Sequence, residues 1–92
     1  MFTAESMMSF EGEQFLGQEA IYGKLNGLGS VKHTPTTLDC QPSVNEGIVC
    51  FVSGTLSIDD GPPMMYTEVF HLQKGGAQGY FVLNDIFRLN LA

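Results

Sequence analysis

The hydrophobic pattern of this chain changes period along its length, and the changes mark its elements. The closing stretch, Tyr80 to Leu91, alternates. Phe81, Leu83, Phe87, Leu89 and Leu91 fall on one side of a period-2 pattern, and Tyr80, Val82 and Ile86 fall on the other with polar Asn84, Arg88 and Asn90. A strand with one apolar face and one mixed face buries both, one in its own core and one against a partner. Asp85 falls among the apolar side chains. A buried acid must be paired or protonated, so Asp85 is a structural anchor or the acid of an enzyme.

Earlier segments repeat this alternation. Gly47 to Ile58 places Ile48, Cys50, Val52, Leu56 and Ile58 on one face, opposite Val49, Phe51, Ser53, Thr55 and Ser57. Met64 to Lys74 is a further strand. Val31 to Cys40 is threonine-rich, and Pro35 marks a bulge or an edge position. Ser6 to Phe10 and Glu13 to Leu16 read as short strands around a Glu11-Gly12 turn.

One segment has the helical period. Gly17-Gln18-Glu19 opens it, with an acid near the positive end of the helix dipole. Ile21, Leu25 and Leu28 form an apolar stripe, and Gly27 and Gly29 end it. Gly23 weakens it by about 0.5–1 kcal/mol relative to alanine, so the helix relies on packing. Gln41-Pro42-Ser43, Asp59-Asp60-Gly61-Pro62-Pro63 and Lys74-Gly75-Gly76 are turns. One helix against a long antiparallel meander is an α+β architecture. So apolar a sheet needs more cover than this helix supplies.

The 92 residues make one domain, 1–92. A chain this short buries about 60–65% of its unfolded surface. Cys40 and Cys50 can pair, but the chain is not cysteine-dense, so a reduced, cytosolic or nuclear setting is expected. The first residues lack the basic head and apolar core of a secretory leader. No apolar run approaches the roughly 18–20 residues of a membrane span.

The net charge is −6, and the only basic residues besides histidine are Lys24, Lys32, Lys74 and Arg88. That argues against nucleic acid and anionic membranes as partners, since both need clustered cations. It suits a partner with a basic face, and it also serves solubility. The chain carries no phosphate loop, zinc cluster or nucleophile elbow. Its histidines and cysteines are too dispersed to suggest a metal site, and no cofactor is expected. His71 reads as incidental.

Asn84-Asp85-Ile86-Phe87-Arg88-Leu89 resembles the closing strand of the nuclear transport factor 2 family. Two further blocks agree, Met8-Ser9-Phe10-Glu11-Gly12-Glu13-Gln14-Phe15-Leu16-Gly17 and His33-Thr34-Pro35-Thr36-Thr37-Leu38-Asp39-Cys40-Gln41-Pro42. The three stand in family order and at family spacing, and the resemblance runs from Phe2 to Ala92. It implies a curved antiparallel sheet with helix packing in a cone-like fold. It further implies a homodimeric nuclear import carrier for the GTPase Ran in its GDP form. Such a carrier also binds the Phe-x-Phe-Gly repeats of nucleoporins, moves between cytoplasm and nucleus, and concentrates at the pores of the nuclear envelope.

The resemblance also assigns residues. Phe10 matches the family aromatic that helps form the nucleoporin-repeat site. Glu11 and Asp59 match acids that bind lysine and arginine of Ran. Asp60 lies beside Asp59 in the same turn, where the family example reads acid-x-acid and this chain has Gly61 in third place. His33 matches a histidine near the Ran-binding rim. Ile86 matches a position facing the twin subunit, and Val82 and Tyr80 share its mixed face. The family begins with helices of about thirty further residues that close the concave face, so this chain is expected to be a shortened form with that face open.

Two other functions fit the same fold. One is an adaptor domain of RNA-export or RNA-granule proteins that binds a partner chain or short phenylalanine motifs. The other, more remote, is a cavity isomerase or dehydratase using His33, Asp39 and Asp85 for proton transfer.

Overall fold

Six strands, one α-helix and one short 3₁₀ turn make up the described residues. The structure is a computed structural model and describes residues 1–77 and 79–90. The strands are β1 (Phe2–Phe10), β2 (Glu13–Leu16), β3 (Val31–Pro42), β4 (Ile48–Ile58), β5 (Met64–Gly76) and β6 (Gly79–Leu89). The helix α1 spans Gln18–Asn26, and the 3₁₀ turn Val44–Glu46 joins β3 to β4. Leu91, expected on the last strand, lies outside the described residues.

All six strands form one curved sheet in the order β2-β1-β6-β5-β4-β3. Strands β3 to β6 are the expected antiparallel meander. The seam between β1 and β6 is parallel, so the sheet is mixed. That seam sets the first and last strands side by side. β1 also begins at Phe2 rather than Ser6. Phe2 is buried against Met8, Ile21 and Val82, which draws the first residues onto the sheet. The β1–β6 register shifts between Phe2 and Met7, and buried Ser6 lies within that shift. Its hydroxyl donates to the carbonyl of Val82 at 2.5 Å and accepts from the N–H of Thr3 at 2.8 Å.

Local chemistry explains the turns. Phe10 pairs directly with Glu13, leaving a two-residue loop of Glu11 and Gly12, both at positive φ. That is the backbone a tight hairpin requires, and glycine adopts it freely. Gly17 precedes α1, Glu19 lies in its first turn and Lys24 in its last, as the dipole favours. Ile21 is fully buried.

β3 is an edge strand, and its register with β4 shifts between Pro35 and Thr37. Both outcomes expected of Pro35 therefore hold. At this point β4 carries Gly54. A Cβ there would lie 2.8 Å from the Cα of Pro35 and closer still to the Thr34 carbonyl oxygen.

The interior comprises two clusters. Phe2, Met8, Ile21 and Val82 form one, and Leu56, Tyr66 and Phe87 form the other. Phe10 packs against both.

Val82 is a correction to the expected mixed face. It is 4% exposed and faces the core, not a partner. The cause is a break in the β5–β6 ladder, where Leu72 pairs with Val82 but His71 pairs with Asn84. Leu83 is the extra residue, and a bulge of this kind reverses the alternation beyond it. Tyr80 and Val82 therefore line one hollow with Phe2 and Leu72. The Tyr80 hydroxyl donates to the carbonyl of Glu46 at 3.2 Å. Of the three expected interface residues, Ile86 alone lies on the outer face, 49% exposed.

Candidate functional site

The concave side of the sheet holds a cavity of about 610 Å³. Its walls are apolar, from Met8 and Phe10 on β1 to Leu56 on β4 and Phe87 on β6, with Leu25 and Leu28 contributed by the helix and the turn after it. The stripe Ile21, Leu25, Leu28 thus divides its labour. Ile21 seals the core, while the other two border the cavity.

Phe10 stands where the two clusters meet. Its ring stacks on Phe87 with centroids 4.6 Å apart and planes 10° apart. The ammonium of Lys24 lies 5.1 Å from its centroid, within cation–π range. The ring is partly buried. The structure therefore gives Phe10 a packing role beside its place in the cavity wall.

Of the four expected Ran-binding residues, His33 lines this cavity, and Glu11 and Asp59 each follow a lining residue in the chain. His33 is exposed, lines it directly, and sets its ring edge-on to Tyr66 with centroids 5.5 Å apart. Glu11 follows Phe10 in the hairpin turn. Its backbone N–H donates to Phe87 at 3.1 Å, and its carboxylate accepts from the backbone N–H of Leu89, a lining residue. Asp59 follows Ile58, another lining residue. Its carboxylate accepts from the backbone N–H of Ser30 at 2.9 Å, and its own N–H donates to the Ser30 carbonyl at 2.7 Å. That exchange clips the turn after α1 to the β4–β5 turn. Asp60 is exposed at positive φ beside it. Both Glu11 and Asp59 therefore use one carboxylate oxygen to hold the backbone, while each side chain remains exposed.

At the base of the cavity lie two acids. Asp85 is 4% exposed, and its Oδ1 has no hydrogen-bond partner among the described residues. Glu68 meets it across the β5–β6 ladder, where Glu68 pairs with Phe87 and Phe70 with Asp85. Burial, with the neighbouring Asp85 adding to it, raises the Glu68 carboxyl to about 9. Burial also raises Asp85, while its hydrogen bond with Glu68 pulls the other way. Both carboxyls are thus biased toward their neutral, protonated forms. Glu68 went unforeseen, because the partnership runs diagonally across two strands and leaves no mark in linear spacing.

The proposed proton-transfer set does not assemble. His33 and Asp85 line the cavity, but Asp39 pairs with Phe51 at the edge of the sheet. No group of three or more metal-ligating side chains occurs among the described residues.

The outer face carries a second feature. Phe51 pairs with Val69, and Val69 with Ile86, so the three form a row across β4, β5 and β6. Phe51 and Ile86 are 43% and 49% exposed. Phe51 and Val69 join Ile86 only through strand register, which the isolated pattern of each strand does not reveal.

Comparison with known proteins agrees with this architecture. A profile described as "Nuclear transport factor 2 (NTF2) domain" matches residues 1–89. The "Nuclear transport factor 2" of Oryza sativa subsp. japonica is 45% identical over 89 residues, covering 92% of this chain and 72% of that protein. The protein of the same name from Emericella nidulans is 43% identical over 93 residues, covering 97% and 74%. The solved structure of nuclear transport factor 2 from Cryptosporidium parvum superposes with a TM-score of 0.87 at 43% identity, covering 96% of this chain and 73% of that one. A yeast complex of the deubiquitinase Ubp3 and its cofactor Bre5 gives 0.83 at 17% identity, covering 99% and 78%, and shares the fold alone. On the match along residues 1–89 and the identity to these relatives, the chain belongs to the nuclear transport factor 2 family, a family of nuclear transport carriers rather than enzymes.

Proposed function

We propose that this protein carries the GTPase Ran, in its GDP form, into the nucleus. In this reading it docks on Ran through Glu11, Asp59 and Asp60, with His33 beside them. The observation that supports it is that acids from two distant turns each adjoin residues lining one cavity. Glu11 lies at the β1–β2 hairpin and Asp59 at the β4–β5 turn, yet both adjoin residues lining the same cavity. Exposed acids on a chain of net charge −6 suit a partner with lysine and arginine at its contact surface. The carrier would bind Phe-x-Phe-Gly nucleoporin repeats at Phe10 and work at the pores of the nuclear envelope. It would act as a homodimer joined through the row Phe51, Val69 and Ile86. It needs no cofactor, because carriage involves no chemical step.

Titration of Ran-GDP against Glu11 variants tests this. Glu11→Gln keeps an acceptor for the Leu89 N–H and removes only the charge. Glu11→Lys loses both and sets like charges together at the contact. Truncating one partner of an interfacial charge pair costs about 2–5 kcal/mol, and reversal costs at least that. Binding by Glu11→Lys should therefore fall by a factor of roughly 30 to several thousand. Glu11→Gln should fall less, and wild-type binding should weaken as salt rises. A folded Glu11→Lys protein that binds Ran-GDP as tightly as wild type would reject the Ran reading. The adaptor function would then be the better account.

A further inference from the structure

The two cysteines form a feature that nuclear transport does not use. Cys40 on β3 and Cys50 on β4 are direct partners in the antiparallel register. Their Sγ atoms lie 2.6 Å apart. Residues directly opposite in such a ladder have Cα atoms about 4.5–5.5 Å apart, inside the range that a disulfide spans. Both are free thiols. They differ in access, since Cys40 is exposed and Cys50 is buried. Metal binding is the other use of paired cysteines. It needs further ligands, and no group of three or more metal-ligating side chains occurs among the described residues.

We infer that Cys40 and Cys50 form a reversible redox site that closes to a cross-strand disulfide on exposure to a low-molecular-weight disulfide such as oxidised glutathione. Exposure assigns the order of steps. The Cys40 thiolate attacks one sulfur of glutathione disulfide, whose S–S bond breaks and releases one glutathione thiolate. The Cys50 sulfur then gives up its proton and attacks the Cys40 sulfur, expelling the second glutathione. Two protein thiols are oxidised, one glutathione disulfide is reduced to two thiols, and the two protein protons end on those thiols. An accessible attacking cysteine beside a resolving one is the arrangement that redox-sensing pairs share. Burial, and then Cys40, raise the Cys50 thiol to about 11. That makes Cys50 a poor target for outside reagents while its bonded neighbour stays within reach.

The closed bond would fasten β3, which is an edge strand held in the sheet by β4 alone. Oxidation would thereby strengthen the least supported long strand of the sheet.

The test treats dilute wild-type protein, Cys40→Ser and Cys50→Ala with oxidised glutathione and follows intact mass and thiol labelling. Wild type should end about 2 Da lighter, with neither thiol labelled, and dithiothreitol should restore both. Cys50→Ala should stop at a stable adduct about 305 Da heavier, because nothing resolves the mixed disulfide. Cys40→Ser should stay unmodified while folded. Three results would overturn the inference: a persistent glutathione adduct on wild type, disulfide-linked pairs of chains, or two thiols still free. Should Cys50→Ala fail to fold, the wild-type masses and the exposed-site variant Cys40→Ser decide the question by themselves.

Discussion

Glu68 is a residue through which stability should respond to pH. In the unfolded chain its carboxyl ionises near 4.5, and in the fold burial and Asp85 raise it to about 9. The folded state therefore keeps a proton that the unfolded state has lost. The stability tied to this group is complete below about pH 4.5, declines as pH rises through the window between the two values, and is gone above about 9. Glu68→Gln preserves a donor to Asp85 and does not ionise. It should flatten this decline and leave the protein more stable by on the order of 1–3 kcal/mol near about pH 8. Urea melts of both proteins from acid to alkaline pH measure this; parallel curves would show that Glu68 is ionised in the fold. Phe10 permits a second test at this scale. Phe10→Leu keeps most of the packing volume but removes the flat ring. It should weaken Phe-x-Phe-Gly binding by about 1–2 kcal/mol and spare Ran-GDP. Loss of both activities would assign Phe10 to packing alone. Asp85 was legible as a buried acid from its place in an apolar pattern, but its partner was not. Period-2 reasoning orders residues within a strand and says nothing about which residue waits on the next.

At the level of elements, the helix stripe and the four long strands were legible because their patterns are long and regular. The bulge at Leu83 was not. Whether β6 has one residue too many depends on Leu72 and His71 of β5, so β6 alone cannot declare it. A single inserted residue moved Val82 into the core and separated Tyr80 from Ile86. Pro35 was a better signal, because its missing N–H limits it to bulges and edges whatever its neighbours are. Its consequence falls on Gly54, where the β3 backbone approaches too closely for a side chain. Gly54→Ala should therefore destabilise the protein by about 1–3 kcal/mol. Ser57→Ala on the same strand should cost less than about 0.5 kcal/mol. Equal denaturation midpoints for the two would show that β3 yields at the bulge.

For the whole molecule, the two faces of the sheet imply different partners. The concave face carries the cavity and its acidic border. The outer face carries Phe51, Val69 and Ile86, with Ile86 and Phe51 about half exposed. Ile86→Glu places a charge in the middle of that row. If two copies meet there, the buried charge lacks a partner and should cost several kcal/mol, shifting sedimentation toward monomer. A dimer of unchanged strength would move the contact elsewhere. Phe51→Glu should repeat the result, since its side chain belongs to the same row. The family resemblance pointed to Ile86, whereas the row became visible only with the register.

The parallel seam between β1 and β6 also orders events in time. Met7 pairs with Asn84 and Phe10 with Phe87, so the first strand has no neighbour on that side until β6 has been made. During synthesis the β3–β4–β5 meander can form while β6 is still inside the ribosome. The β1–β2 hairpin is local, but the cluster of Phe2, Met8 and Ile21 is complete only with Val82. Completion of the fold therefore waits for β6, and a nascent chain stalled before β6 would leave that side of β1 unpaired.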